Sequence, residues 1–364
     1  MTLYLVDMYV KSPLIIADMY IGNVFKHRLN YIPPQTLRGS ILSKLIIDYK
    51  VDQAVEISGE DTVVFHPLYP VVDGSEARPS YIFLYECKLC EGEVYISDII
   101  LNSEKLKNFK YENYEIPYKC RNNHLFLTKP VDGNIIFNGK KYKKVYVKYV
   151  QLESIGLFRG LGRTELGMLY SYIGVAPGTR FKGLIYDAKD KLKELVKGYV
   201  MDGEYRIGRG ISRGMGIVEM NFKEINEANY IEERSKEIKE LIEKTDLIML
   251  RALTPILFME KGKFSYDLDL SHMQIEKLNV FRDKNYIPKG LTTLRGFSLK
   301  TGLPKVSISG LAPGTLYFYM VTSKCDVDDL AMKLAKYELT GFSKWSYMGL
   351  NIMEVLTDVK HLYG

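Results

Sequence analysis

Residues 207–216 combine glycines with cationic side chains in a way that suits contact with a polyanion. The segment reads IGRGISRGMG, and with the residue before it the segment supplies Arg206, Arg209 and Arg213. Glycines permit positive φ angles and let a backbone approach a phosphate, and arginines supply the opposite charge. A dinucleotide fingerprint also spaces its glycines, but there a strand precedes the loop and a helix follows, whereas the order expected here is reversed. The pattern predicts an RNA-backbone contact; the alternative is a hairpin that needs its glycines only to turn.

Two other loops carry cations beside aromatic rings. Residues 156–167 read GLFRGLGRTELG between two expected strands, so Arg159 and Arg163 would lie on a projecting hairpin. Near the C-terminus Lys344 precedes Trp345, the only tryptophan of the chain. Cationic and stacking contacts together suit a single nucleic-acid strand. For the C-terminal loop, a contact with another domain or subunit is the alternative.

Three of the four cysteines fall in one region with zinc-type spacing. Cys87-x-x-Cys90 is followed, after 29 residues, by Cys120-x-x-x-His124. These ligand types favour a structural zinc, although the gap is longer than in a typical ribbon and the second pair is looser than Cys-x-x-Cys. The sequence therefore predicts a structural zinc site formed by Cys87, Cys90, Cys120 and His124.

His27 is the one histidine placed for catalysis. It lies beside Arg28 and four residues before Tyr31, and a His with a Tyr can serve general acid–base cleavage of RNA. Neither a Ser/His/Asp arrangement nor a His-Glu-x-x-His motif is visible. An endoribonuclease is therefore the alternative to a binding role.

Composition limits the class of protein. The 364 residues carry a formal net charge of +6, which permits a polyanionic partner without requiring one. No apolar run approaches the roughly 18 residues of a membrane helix. Four cysteines in a chain of this length do not make a disulfide framework and favour a reducing cytoplasm. We expect a cytoplasmic protein of two or three domains.

An internal repeat organises the elements that would position these residues. Five landmarks recur in the same order, which indicates a tandem duplication. The paired segments are 12–13 with 254–255, 31–33 with 286–288, 36–39 with 293–296, 176–179 with 312–315, and 207–216 with 341–349.

The element order in each half predicts an α+β fold. Strand, helix, strands, helix, strand is the ferredoxin-like (βαββαβ, RRM-like) pattern, here in two tandem copies. We expect an N-terminal domain at 1–225 with an insertion at about 52–140, a connecting helix at 226–246, and a C-terminal domain at 247–364. The first helix of copy two is the weak point, because Gly296 and Gly302 leave little room for it.

The motifs resemble the RAMP (repeat-associated mysterious protein) superfamily of CRISPR-associated proteins. Residues 31–33 with Arg38-Gly39 look like that superfamily's helix start, and 209–216 looks like its glycine signature. Residues 65–70, 86–88 and 169–183 look most like the large two-domain RAMP of type III-D systems. Pro33-Pro34-Gln35 departs from the usual Pro-Gly-Ser. Residues 22–31 also lack the aspartate that slicing backbone subunits use.

The resemblance implies a non-catalytic RNA-binding subunit of an archaeal type III effector complex in antiviral defence. It would hold the 5′ handle of the guide RNA and contact the large and backbone subunits. The alternatives are a metal-independent endoribonuclease that processes CRISPR transcripts through His27, and a protein-bridging subunit near the 3′ end. The expected RNA-binding residues are His27, Arg28, Arg38, Arg159, Arg163, Arg206, Arg209, Arg213, Lys344 and Trp345.

Overall fold

The chain forms a mixed α/β structure with six α-helices and mostly antiparallel strands among its described residues. The structure is a computed structural model that describes residues 1–16, 19–21, 24–26, 29–48, 50–58, 63–90, 92–107, 109, 117, 119–158, 163–197, 201–260, 263–270, 275, 278–280, 285–294, 297–298, 303–304, 307–321 and 325–361, some of them by backbone alone. Among the helices described, none is long and apolar enough to cross a membrane.

Chain order to residue 225 gives the following elements: β1 (Thr2–Val10), β2 (Met19–Ile21), β3 (Val24–Lys26), α1 (Pro34–Ile47), α2 (Val51–Ser58), β4 (Val63–Phe65), β5 (Tyr69–Val72), β6 (Ser75–Glu76), β7 (Arg78–Pro79), β8 (Leu84–Cys87), β9 (Val94–Ile96), α3 (Ser103–Lys107), β10 (Thr128–Pro130), β11 (Asn134–Phe137), β12 (Tyr142–Val145), β13 (Tyr149–Phe158), β14 (Arg163–Val175), β15 (Arg180–Asp187), α4 (Lys193–Lys197), β16 (Gly203–Arg206) and β17 (Ile217–Ile225).

The remainder of the chain gives α5 (Glu227–Thr245), β18 (Leu247–Ala252), β19 (Phe258–Glu260), β20 (Lys263–Ser265), β21 (Leu278–Val280), β22 (Tyr286–Ile287), β23 (Leu291–Leu294), β24 (Phe297–Ser298), β25 (Leu303–Pro304), β26 (Ile308–Leu311), β27 (Leu316–Val321), α6 (Val327–Thr340) and β28 (Met353–Val355). Among the described residues of the whole chain, short 3₁₀ segments lie at Ile211–Arg213, Ser346–Met348 and Thr357–His361.

The chain divides into two compact units, each with its own apolar core. Unit 1 comprises 1–76 and 146–225, and unit 2 comprises 77–145 and 226–364. Most of the predicted insertion therefore packs within unit 2. The helix predicted as a connection, α5, also belongs to unit 2 and buries Ile238, Leu241 and Ile242 in its core.

Unit 1 is built on an antiparallel sheet in the order β16-β17-β1-β15-β5-β6, with β4 also paired to β15. Helix α1 begins at Pro34, after Pro33 in an extended conformation, which suits the fixed φ of proline at a first helical position. Its buried side chains Leu37, Ile41 and Leu45 are spaced four residues apart and therefore share one face of the helix. A second sheet runs β13-β14-β3-β2, with β14 and β3 parallel.

Unit 2 repeats the central strand order of unit 1. Its main sheet runs β21-β27-β18-β28, with β22 also paired to β27, so β18 lies between β27 and β28 as β1 lies between β15 and β17. Helix α6 begins after Asp326, whose carboxylate accepts hydrogen bonds from the backbone N–H groups of Asp328 and Asp329. An aspartate before acidic residues of the first turn is a typical helix start.

The hydroxyl-proline segments of the two units make matching contacts. Ser12 Oγ accepts a hydrogen bond from Ile217 N at 2.9 Å, and Thr254 Oγ1 accepts one from Ile352 N at 2.9 Å. In both units the residues just after the central strand, β1 or β18, are thereby joined to the start of a neighbouring strand, β17 or β28. The similarity seen in sequence at 12–13 and 254–255 therefore corresponds to one local structure.

The Pro-Gly-Thr turns also match. Thr179 Oγ1 donates to Ala176 O at 2.8 Å, and Thr315 Oγ1 donates to Ala312 O at 2.8 Å. Gly178 and Gly314 both have positive φ, at 86° and 89°. Each turn leads into the strand that the sequence predicts, β15 or β27.

Two of the expected correspondences are wrong. Tyr286–Ile287 forms β22 and pairs with β27, which makes it the counterpart of β5 beside β15 and not of residues 31–33. Thr293 and Leu294 do not start a helix, because Leu291–Leu294 pairs with Ile308–Leu311 in a hairpin. The hairpin β23–β26 leads into the turn before β27, and the hairpin β13–β14 leads into the turn before β15. The two hairpins are therefore counterparts. The sequence TLRG at 36–39 lies in a helix, whereas the first two residues of the same sequence at 293–296 lie in a strand.

Candidate nucleic-acid interface and cysteine cluster

The glycine-rich segment 207–216 is the end of a hairpin. It connects β16 to β17, which are antiparallel, and Ile207 N donates to Gly216 O at 2.8 Å. A strand therefore precedes the loop directly, in addition to the helix α4 that the sequence places earlier. At its tip, Ile211–Arg213 forms a 3₁₀ turn bounded by Gly210 and Gly214, both left-handed.

Two glycines of this loop serve a close approach to the chain itself. At Gly208 (φ 85°) a Cβ would lie 2.3 Å from Ile15 O, and at Gly216 (φ 71°) it would lie 1.9 Å from Ile207 O. The neighbouring backbone is hydrogen-bonded there, since Arg209 N donates to Ile15 O and Gly216 N donates to Pro13 O, both at 2.9 Å. These two N–H groups are thus already used and do not donate to a phosphate.

The arginines of the loop point to solvent. Arg206, Arg209 and Arg213 are all exposed, although Arg206 lies 3.8 Å from Glu204. Arg213 Nη1 donates to the hydroxyl of Tyr172 at 3.0 Å, and its guanidinium lies 5.7 Å from the centre of that ring. Tyr172 is 8% exposed, so it is a fixed support that limits the positions of the guanidinium. Tyr172 lies in the segment 169–183 that carries the family resemblance, but sequence reasoning assigned it no role, since its contact with Arg213 spans 41 positions.

Through Tyr172, Arg213 also contacts the hairpin that carries a second predicted RNA-contacting loop, nine residues along the strand from Arg163. Tyr172 lies on β14, the second strand of the β13–β14 hairpin. The hairpin is present as the sequence predicts, with Leu157 opposite Thr164 and Phe158 opposite Arg163. Arg159 lies outside the described residues, and of Arg163 the structure describes the backbone alone.

Of the other residues predicted to contact RNA, some lie in unit 1, some lie in unit 2, and some lie outside the described residues. Arg38 is half-buried on α1 of unit 1. His27 and Arg28 lie outside the described residues.

Lys344 and Trp345 belong to unit 2. The Lys344 ammonium lies 5.7 Å from the centre of the Trp345 ring. A cavity of about 410 Å³ lies beside this pair and is lined by Phe258, Met259, Asp267, Leu268, Asp269, Tyr337, Gly341, Phe342, Ser343, Lys344 and Trp345.

The three cysteines and the histidine of the predicted metal site come together. The Sγ atoms of Cys87, Cys90 and Cys120 and the Nδ1 atom of His124 all lie within 4.8 Å of one another. His124 Nδ1 is 3.6, 3.4 and 3.5 Å from the three sulfur atoms in that order, and the Cys90 and Cys120 sulfurs are 3.9 Å apart. Tetrahedral zinc with thiolate and imidazole ligands would separate its ligand atoms by about 3.5 to 3.8 Å. The cluster therefore has metal-binding distances.

The local fold supports this cluster. Cys87 ends β8, and Cys90 N donates to Cys87 O at 3.3 Å in a tight turn. The second pair closes through Cys120 N, which donates to His124 O at 3.3 Å. Asn122 Nδ2 donates to Cys90 Sγ at 3.2 Å, an outer contact that the sequence did not indicate.

The Cys120 thiol is poised for deprotonation. Burial alone would raise its pKa, but backbone hydrogen bonds from His124 and Asn122 and contacts with the other two thiols lower the pKa to about 7. The thiolate is the form that binds metal, so this environment favours a ligand role.

No family model matches this sequence, and no curated protein matches it. Solved structures do match. A chain of a type III-B Cmr-beta complex bound to cognate target RNA is 14% identical, covers 93% of this chain and 95% of its own length, and has a TM-score of 0.47.

Two further matches are to other CRISPR proteins. Cmr4 from Pyrococcus furiosus is 17% identical over 62% of this chain and 100% of its own, with a TM-score of 0.29. A Cas6 product complex is 10% identical over 98% and 99%, with a TM-score of 0.38. The type III-D subtype remains a prediction.

Proposed function

We propose that this chain is a non-catalytic RNA-binding subunit of a type III CRISPR effector complex. The observation that carries the proposal is the hairpin 207–216, which presents Arg209 and Arg213 to solvent on a fixed backbone. Electrostatic attraction to phosphates supplies most of the affinity of such a surface and makes it dependent on salt.

The geometry favours a single strand over a flat protein contact. Arg213 is held by the Tyr172 hydroxyl and ring, which leaves other guanidinium N–H groups to donate outward. The same contact places Tyr172 of β14 beside the loop, so the ring fixes the guanidinium where an RNA backbone could pass Arg209 and Arg213. A row of cations along a backbone is the arrangement that phosphates require.

Removing two of these cations tests the proposal. The double variant Arg209→Ala/Arg213→Ala should bind guide RNA about tenfold more weakly at 0.15 M salt, because each phosphate contact to a single strand contributes about 0.7 to the log–log salt slope. The slope itself should fall by about 1.4. Fluorescence anisotropy with labelled guide RNA over a series of salt concentrations measures both quantities.

Lys236→Ala/Lys244→Ala is the matched control, since it removes the same charge from exposed positions on α5. The control should keep the wild-type slope. An arginine variant with wild-type affinity and an unchanged slope contradicts the assignment of this loop.

Two further parts of the proposal concern the domain architecture of the chain and its position in the effector complex. We infer two tandem ferredoxin-like copies within 1–225 and 247–364, and the matching hydrogen bonds of Ser12 with Thr254 and of Thr179 with Thr315 support this. The type III-D identity, the hold on the 5′ handle and the contact with the large subunit follow from the sequence resemblance. Crosslinking of the assembled complex to guide RNA labelled at one end or the other distinguishes the 5′ from the 3′ position.

The cysteine cluster fits a structural zinc. Cys87, Cys90, Cys120 and His124 would hold it, with Asn122 bonded to one thiolate. Four protein ligands leave no open position for a substrate, which is typical of structural sites. The ion would cross-link the loop after β8 to the loop before β10.

A further inference from the structure

Large apolar side chains stand exposed on both loops of the cysteine cluster. Leu89 is 62% exposed, Leu125 is 55% exposed and Phe126 is 81% exposed. Leu89 lies between Cys87 and Cys90, and the other two residues directly follow His124 in the sequence. Single exposed apolar residues are ordinary, but three beside one metal-type cluster form a patch that calls for an occupant.

Phe126 exposes its ring to solvent from an unfavourable backbone conformation. Its φ is 56°, in the left-handed region that a bulky side chain rarely adopts, and its ring is the most exposed large apolar side chain of the described residues. Such a backbone costs free energy, which burial of the ring does not offset here. Local strain of this kind collects at binding sites.

The two loops are hydrogen-bonded to each other, so their exposed side chains belong to one surface. Lys88 N donates to Leu127 O at 3.0 Å, and Lys119 and Leu125 form a β-bridge. The metal-type ligand atoms lie directly behind them, within 4.8 Å of one another. The knuckle face, defined as Lys88, Leu89, Lys119, Arg121, Leu125 and Phe126, is thus presented by a cross-linked support.

The charge around these side chains is positive. Lys88, Lys119 and Arg121 are exposed, and the Arg121 guanidinium lies 5.4 Å from the centre of the Tyr95 ring. Of the neighbouring carboxylates, Glu86 is buried and bound by Lys129 and Lys144, at 3.2 and 2.7 Å, and Glu93 accepts a hydrogen bond from the Tyr95 hydroxyl at 2.5 Å. Zinc with three thiolates would add one negative charge behind the face, fewer than its cations. A polyanion complements this surface better than an apolar protein patch.

We propose that the knuckle face binds single-stranded RNA, with bases against Phe126 and Leu89 and phosphates at Lys88, Lys119 and Arg121. Every base has a π face, so aromatic stacking beside cations holds a strand without requiring a sequence. The inference rests on the proposed function and adds to it a second RNA contact, in unit 2. A partner protein on the same face is the competing occupant.

The first test removes the apolar side chains and keeps the charge. Leu89→Ser/Phe126→Ser should weaken binding of single-stranded RNA by the full-length chain about tenfold, as expected for loss of one stacked base. Ile47→Ser/Val51→Ser, at exposed apolar positions on α1 and α2, is the matched control and should bind as the wild type does. Because all four side chains are exposed, metal content and circular dichroism should not change.

The second test needs no variant. Wild-type chain irradiated with RNA that carries 4-thiouridine should yield crosslinked peptides from 85–90 or 119–127, identified by mass spectrometry. These crosslinks decide the matter if the double variant loses its metal or its fold.

The outcomes separate the two proposals. A double variant with wild-type affinity, together with an absence of crosslinks in those peptides, overturns the knuckle face as an RNA site, even where Arg209→Ala/Arg213→Ala lowers the affinity. Loss of a protein partner from the assembled complex without loss of RNA affinity also overturns it and assigns the face to that protein. A chain that binds no RNA overturns the proposed function as well.

Discussion

A buried network of charges holds unit 2 together at the level of single residues. Glu354 accepts a hydrogen bond from Arg78 Nε at 2.8 Å and one from Arg251 Nε at 2.9 Å. Arg234 donates from Nε to Glu338 at 2.7 Å and from Nη2 to its other oxygen at 2.9 Å. Removing one partner of a buried pair leaves the other charge uncompensated, which costs more than the pair contributes.

Glu354→Gln should therefore lower the free energy of unfolding by about 3 kcal/mol at pH 7. Burial alone would raise the pKa of Glu354, but the guanidiniums of Arg78, Arg251 and Arg234 hold it at about 2, below the ordinary 4.5. A shift of this size corresponds to about 3 kcal/mol, as an order of magnitude. Urea unfolding of wild type and variant measures the difference.

The same pKa fixes the pH dependence of this effect. Because the folded pKa is depressed, the contribution is fully present above pH 4.5 and is lost as the pH falls toward 2. The gap between wild type and Glu354→Gln should narrow through that window. Glu232→Gln, which breaks an exposed pair with Lys236, is the control and should change stability by less than about 1 kcal/mol. A gap that stays constant from pH 7 to pH 3 contradicts the assignment.

At this scale the sequence predicts local contacts and misses distant ones. The Asp326 cap could be predicted, because the residues it contacts are two and three positions away. The pairing of Arg78 with Glu354 could not, since 276 positions separate them and only the folded chain brings them together. The ligand types of the cysteine cluster were an exception, because their spacing alone indicates a shared ion.

Among the elements, the loops of the cysteine cluster should depend on the metal most strongly. They are short, and the described part of the loop before β10 is held by few backbone bonds, such as Cys120 N to His124 O and Asn123 N to Cys120 O. Binding free energy of a structural ion is largely folding free energy for such loops. We expect purified protein to contain one zinc per chain.

Chelation should then increase hydrogen exchange in 85–95 and 119–130, and leave β1 and β15 protected in unit 1. Cys120→Ser should reproduce the effect without a chelator, whereas Cys325→Ser, outside the cluster, should not. A folded, metal-free preparation with the same exchange pattern as the untreated protein contradicts the zinc assignment.

The internal sequence repeat predicted matching elements correctly where the two copies also make the same hydrogen bonds. The turns at 176–179 and 312–315 match because each needs a Gly with positive φ and a Thr hydroxyl that reaches back three residues. The prediction that 293–296 corresponds to the helix start at 36–39 was wrong, because a four-residue sequence carries little information about a partner strand. Leu291–Leu294 has Ile308–Leu311 to pair with, and this pairing overrides any local preference for helix.

For the molecule as a whole, the two units have separate cores, and this makes their unfolding separable. The core of unit 1 includes Leu45 of α1, and that of unit 2 includes Leu334 of α6, both almost fully buried. Truncating either to alanine should cost about 2 to 5 kcal/mol, confined to its own unit. Trp345 is the only tryptophan and lies in unit 2, so its fluorescence follows that unit alone, whereas far-ultraviolet circular dichroism follows both.

Leu45→Ala should therefore bring forward part of the dichroism transition and leave the Trp345 transition in place, while Leu334→Ala should shift the fluorescence transition. The two variants control for each other, since each removes the same atoms from a helix buried in one core. Equal shifts of both probes in both variants would mean that the cores melt as one cooperative body. Separate transitions would instead allow an RNA contact to be lost from one unit while the other unit stays folded, so that the contributions of the 207–216 loop and of the knuckle face can be measured apart.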